Sequence, residues 1–387
     1  MKVRLAPFTL ITLLATLLAW PYSPSNAAMT GGFTVAQQSA IVAAAKRELA
    51  LFGGRAPIPG VLIGIWAPGK TFIRSVGFSD LATRKPFATD DRFRVGSNTK
   101  TFVVSTLLQL ADEKRLKLDD PITKFHIGVT VPNGNRITVR LLTEMRSGLF
   151  EAYNTPQFSK LPNSPQTQVA PRTLIRWAAA KSPVFSPNAR WMYCNTNYLI
   201  LGLIIEAVTH DTVQHQIQTR FLTPLGLTNT TFPTTDPNMP KPYAHGYGLD
   251  KNRNWTDVSV DLSPTISWSA GAMISTMPDM KRWVKAYVTG AVNSKASQKA
   301  RLSCIPIGDD DMRFGMGIGC SAGWYGYTGG IPGYHTAAYY MPAKDVTVIA
   351  FVNSQQEKPK WGTANAIVHE IARILFPKNV PFPDTAH

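Results

Sequence analysis

Segments with strand character lie near both ends of this 387-residue chain, and helical patterns fill the middle. Residues 61–66 and 71–78 are rich in β-branched and aromatic side chains and are joined at Pro68-Gly69, the pattern of a hairpin. Residues 333–341 and 345–353 alternate or run β-branched near the other end. An isolated hairpin is marginal in water, so neither pair is expected to stand alone. The economical arrangement is one antiparallel sheet assembled from both ends, flanked by helices. The expected class is therefore α/β (α+β). A discontinuous sheet domain spans 34–104 plus 266–377, and a mostly helical insertion spans 105–265. Apolar periodicity predicts helices at 35–51, 99–114, 173–181, 197–208, 212–221, near 278–286, and at 363–376. A cleft between the two parts is the natural place for a site.

The first 27 residues read as a signal peptide. Lys2 and Arg4 precede an apolar run, and Ser25-Asn26-Ala27 supplies small residues for cleavage. No other stretch approaches the roughly 20 apolar residues of a membrane span, so the mature chain is expected without an integral membrane segment, secreted or periplasmic. The formal charge is +16. The Lys and Arg residues are scattered, which fits a solvated basic surface better than a binding patch, and no nucleic-acid motif is present. Three cysteines in an oxidising compartment suggest a bridge. Cys304 and Cys320 are close in sequence and form the natural pair, leaving Cys194 as a free, buried thiol. A catalytic role for Cys194 lacks a histidine nearby in sequence. His369-Glu370 has no second histidine four residues on, Gly315-x-Gly317-x-Gly319 is not followed by a helix, and the seven histidines lack metal-ligand spacing. No cofactor is expected, and His335 reads as an ordinary strand histidine.

Chemistry concentrates at Ser97-Asn98-Thr99-Lys100, which opens the helical run at 99–114. Residues three apart share a helix face, so the Ser97 hydroxyl and the Lys100 amine are neighbours. Burial lowers a lysine pKa and lets Lys100 take the serine proton. Ser97 otherwise reads as a helix cap. Tyr193-Cys194-Asn195 precedes the apolar stretch 199–205, and Tyr327-Thr328-Gly329-Gly330 opens a β-like segment.

The order S-x-x-K, Y-x-N, x-T-G resembles the penicillin-recognising serine hydrolases: class C β-lactamases, DD-carboxypeptidases and related esterases and D-aminopeptidases. Residues 107–121, 137–142 and Arg146-Ser147-Gly148-Leu149 read similarly, and the resemblance extends over about residues 35–376. It implies the β-lactamase/transpeptidase-like fold and an acyl-enzyme on Ser97. Lys100 and Tyr193 would be proton carriers, with the Tyr193 phenolate favoured by the neighbouring lysine. Asn195 would hold Lys100 and donate to a substrate carbonyl. Thr328, Gly329 and Gly330 would form the substrate-flanking strand, the Gly330 and Ser97 amides making an oxyanion hole. The implied substrate is a small peptide, ester or amide: D-alanyl-D-alanine cell-wall peptides or related D-amino-acid amides lead. A β-lactamase, an esterase, or a non-catalytic envelope protein retaining the fold are the alternatives.

Tyr327 departs from the pattern, because relatives carry Lys or His there to attract a carboxylate. Tyrosine would face the substrate's anionic end with one hydrogen bond and no charge. Arg313 is the only upstream arginine that could grip a peptide's terminal carboxylate.

Overall fold

Eight strands pair antiparallel throughout in one sheet, the N-terminal hairpin at one edge and the strands of the C-terminal part following in reverse chain order. The computed structural model describes residues 32–162, 164–308, 311–355 and 362–382. The proposed signal peptide lies outside them. β1 (Gly60–Ala67) and β2 (Lys70–Gly77) form the hairpin expected at Pro68-Gly69. Two short ribbons stand apart from the sheet: β3 (Phe93–Arg94) with β6 (Ile274–Ser275), and β4 (Tyr247–Leu249) with β5 (Trp255–Asp257). The remaining strands come from the C-terminal part: β7 (Ile305–Pro306), β8 (Arg313–Gly315), β9 (Ile318–Ser321), β10 (Trp324–Ile331), β11 (Tyr334–Met341) and β12 (Val346–Val352). β1 joins the two groups by pairing with β12, Val61 opposite Val352 and Trp66 opposite Thr347. Central strands β11 and β12 are buried along their whole length, as strands covered on both faces are.

Helices cover the sheet. Val35–Leu51 begins with a reciprocal cap, in which Thr34 accepts from the Gln37 amide and the Gln37 side chain accepts from the Thr34 amide. It packs with Thr363–Leu375 from the far end of the chain. Met277–Thr289 lies on β11 and β12. In the middle of the chain, Thr99–Asp112 and Asn195–Thr209 pack on each other, each almost wholly buried. The helix expected over 212–221 is shorter. Val213–Ile217 is α-helical and is followed by a π turn at Gln218–Leu222. Among the described residues no helix is long and apolar enough to cross a membrane. Cys304 and Cys320 are disulfide-bonded, and Cys194 is free and buried.

Candidate active site

Ser97 sits in a tight turn, Gly96–Asn98, immediately before the helix Thr99–Asp112. The turn is held from several directions. The Asn98 side chain donates to Thr336 Oγ1 at 2.7 Å, Thr99 Oγ1 donates to the Gly96 carbonyl at 2.8 Å, and Thr336 Oγ1 reaches the Val95 carbonyl at 3.1 Å. β10 presses against it. A Cβ on Gly329 would lie 2.0 Å from the Val95 oxygen and 3.0 Å from the Ser97 nitrogen, so only glycine permits the approach. A Cβ on Gly96, itself at φ +51°, would lie 3.1 Å from the Gly330 nitrogen. The backbones of Ser97 and Gly330 therefore meet at one side of the cavity, where an oxyanion would need two amides.

Lys100 is fully buried one turn into the helix. Its Nζ lies 2.8 Å from Ser97 Oγ, 2.8 Å from Asn195 Oδ1 and 2.6 Å from the Ala270 carbonyl. Burial pushes its pKa down from 10.5 to about 7, against the opposing pull of the Glu151 charge. As an ammonium, Nζ donates to all three. As an amine, it keeps two N–H bonds to Asn195 and Ala270, and its lone pair faces the Ser97 hydroxyl. The environment thus holds a proton acceptor against the nucleophile near neutral pH.

Tyr193 donates to Ser97 Oγ at 2.7 Å. Its ionisation differs from the phenolate expected from sequence. Although the residue is 37% exposed, desolvation of its hydroxyl end against Ser97 raises the Tyr193 pKa above that of a free phenol, and Lys100, itself half neutral near pH 7, does not offset it. Tyr193 is therefore a neutral donor. Asn195 occupies the first turn of Asn195–Thr209 and serves Lys100 rather than the helix end. The Asn195 backbone and side-chain nitrogens both donate to Glu151 Oε2, at 2.5 and 3.3 Å, which turns Oδ1 towards Lys100. Glu151 also accepts from the Tyr153 amide at 3.1 Å, and burial raises its pKa. No sequence pattern marked Glu151, because it reaches the site across 44 residues of chain. Asn197, the competitor of Asn195, is buried and accepts from Ser147 at 2.6 Å.

Ser97, Tyr193, Asn195, Thr328 and Gly330 line a cavity of about 540 Å3, whose far wall is formed by Tyr153, Phe158, Leu262, Ile266 and Ile331. His335 lines it too and is more than an ordinary strand residue. Its Nδ1 accepts from the Ala364 amide at 3.2 Å, which leaves Nε2–H to donate to Thr328 Oγ1 at 3.2 Å. Burial pushes its pKa down to about 4, so it is neutral.

Tyr327 and Arg313 depart from expectation. Tyr327 is 3% exposed and does not line this cavity. Its ring packs edge-on to Phe314 of β8 at 5.9 Å. Arg313 is exposed on β8 and donates to the Cys304 carbonyl at 3.2 Å. It cannot grip a carboxylate in the cavity from there. Apart from Lys100, which contacts Ser97, no Lys or Arg lies among the described residues at the site.

A buried lysine and a neutral tyrosine converging on a helix-start serine, beneath a sheet built from both chain ends, define a serine hydrolase of β-lactamase/transpeptidase-like fold. The chain belongs to the Beta-lactamase family, whose model matches residues 43–373. It is similar to PbpX, a candidate penicillin-binding protein of Bacillus subtilis strain 168, with 24% identity over 78% of this chain and 76% of that protein. Other relatives match over shorter shares of their own length, 45% for protein flp of Staphylococcus aureus strain N315. Among solved structures, a D-stereospecific amidohydrolase from Streptomyces sp. is 28% identical with a TM-score of 0.76, covering 88% of this chain and 99% of that one. A D-amino acid amidase from Ochrobactrum anthropi SV3, solved with D-phenylalanine, shares the fold at 22% identity and a TM-score of 0.76, over 88% and 99% of the two chains.

Proposed function

We propose that this protein hydrolyses uncharged amides or esters of D-amino acids, or of short D-terminal peptides, through an acyl-enzyme on Ser97. The observation that carries the reading is the pair of contacts to Ser97 Oγ, from Lys100 at 2.8 Å and Tyr193 at 2.7 Å. Lys100 in its amine form takes the Ser97 proton as the oxygen attacks the substrate carbonyl. The oxyanion is met by the Ser97 and Gly330 amides, and Tyr193 hands a proton to the departing nitrogen or oxygen. Water then reverses the sequence and releases the acid. Similarity to the D-stereospecific amidohydrolase supports the substrate class.

Similarity to PbpX keeps a D-alanyl-D-alanine carboxypeptidase acting on cell-wall peptides as the second reading. That reaction expels a carboxylate-bearing amino acid, and the buried tyrosine at 327 with the displaced Arg313 favours uncharged substrates instead. An extracytoplasmic location belongs to the proposal and is supported by the Cys304–Cys320 disulfide, since cytosolic thiols are kept reduced.

Intact-mass measurement after incubation with an activated D-phenylalanine ester tests the reading. A single acyl adduct is expected, absent in Ser97→Ala and slower with the L-ester. An adduct that persists in Ser97→Ala would overturn it.

A further inference from the structure

A second, smaller cavity of about 90 Å3 adjoins the first, and the two share Tyr193 and Thr328 as walls. Its other walls include Trp191, Ile307, Met312 and Phe314. No charged side chain lines it among the described residues. One hydrogen-bond donor on its wall, Trp191 Nε1, is buried with no partner among the described residues, while the Tyr327 hydroxyl interacts with Tyr193. A buried donor left unpaired is costly, so its presence beside a void points to an occupant carrying an acceptor.

The position of this cavity relative to Ser97 decides what the occupant is. In the proposed reaction the leaving group must lie within hydrogen-bond reach of Tyr193, which delivers its proton. Tyr193 forms the wall between the two spaces. A leaving group that meets the Tyr193 hydroxyl therefore lies beside the smaller cavity, which shares Tyr193 and Thr328 with the first. The apolar walls favour a short alkyl group, and the Trp191 Nε1 donor accommodates one neutral oxygen. A carboxylate would be stripped of water there with no cation to pair with.

We infer that this cavity is the leaving-group subsite, selecting short, uncharged, apolar alcohols or amines over carboxylate-bearing ones. The inference rests on the acyl-enzyme reading above. The bond broken is the acyl C–O or C–N bond, the acyl carbon passes to Ser97 Oγ, and the leaving group departs with the proton from Tyr193.

Three D-phenylalanine esters test it: methyl, n-butyl, and the ester of glycolate. All three give the same acyl-enzyme, so any difference in kcat/KM arises from acylation alone. Each buried methylene is worth about 0.8 kcal/mol, so even partial burial of the butyl chain should raise kcat/KM at least about tenfold over methyl. The glycolate ester should be the poorest. Gly319 lines the cavity, and a Cβ there would meet only the Gly326 oxygen at 3.5 Å. Gly319→Val should therefore fill the space and abolish the butyl preference over methyl. Phe314→Ala, which enlarges the cavity, should shift the preference to longer chains and serves if Gly319→Val does not fold. Equal rates for all three esters, or a glycolate ester that is the best substrate, would overturn the subsite while leaving the Ser97 adduct intact. Failure of every ester to acylate Ser97 would instead overturn the acyl-enzyme reading and the subsite with it.

Discussion

Lowering the pH through 7 should switch off acylation by protonating Lys100. Complete burial shifts this lysine from 10.5 to about 7, a penalty of about 5 kcal/mol on its charged form in the folded protein. At pH 7 roughly half of the molecules hold the amine, and at pH 5 roughly one in a hundred, so acylation should fall about fifty-fold between them. Stopped-flow release of the chromophore from an activated D-amino-acid ester isolates the acylation step and avoids any titration of deacylation. The same shift has a stability signature of definite sign. Between pH 7 and 10.5 the unfolded chain holds a proton on this lysine that the folded chain has lost, so this group makes stability rise with pH across that window. Below pH 7 both states are protonated and the full penalty is present. Lys100→Met should therefore lose acylation, melt at a higher temperature than wild type at pH 6, and lose that share of the pH dependence. An acylation rate flat from pH 5 to 8 would refute the assignment of Lys100 as proton acceptor, as would a Lys100→Met variant that acylates normally.

Glu151→Gln removes the charge that raises the Lys100 pKa, so the acid limb of the acylation profile should move to lower pH, and an unmoved limb would uncouple the two residues. Tyr193→Phe keeps the ring and loses the donor to Ser97. It should cut kcat by about 100-fold or more without lowering the melting temperature, as kinetics beside a thermal melt would show. Gly329→Ala forces a methyl against the Val95 carbonyl and should lower both activity and melting temperature, measured the same way. Burial pushes the Cys194 thiol up to about 12, so iodoacetamide at pH 8 should leave it unmodified in the native protein and label it after denaturation, as peptide mapping would report.

The sheet was legible because its strands carry their own evidence. The 61–66 and 71–78 segments are joined at Pro68-Gly69 and are observed as β1 and β2, and the alternating or β-branched segments 333–341 and 345–353 are observed as β11 and β12. The positions of Ser97, Lys100, Tyr193 and Asn195 followed from motif order, and the structure gathers them around one oxygen and one nitrogen. What escaped the sequence depends on partners distant in the chain. Glu151 has no motif of its own, and its role emerges only when Asn195 arrives 44 residues later. Tyr327 was located correctly along β10 and assigned the wrong surroundings, because Phe314 of a neighbouring strand packs against its ring. The Tyr193 phenolate was expected from a charged lysine, yet burial neutralises Lys100, and desolvation of the Tyr193 hydroxyl holds the phenol protonated.

The clamp on the nucleophile turn couples chemistry to the order of assembly. Asn98 bonds to Thr336 across 238 residues, and the Val95 oxygen meets Gly329 and Thr336 from the same distant segment. Contacts of such separation form late, because a long loop must close before they yield any stabilisation. A chain emerging N-terminus first carries Ser97 and Lys100 long before β10 and β11 exist to orient them. Nucleophile and base are thus exposed together without an oxyanion site, and the serine stays unreactive until the last strands pair. Activity in this architecture reports completion of the fold, so a C-terminally shortened chain should be silent even where its helical middle is intact.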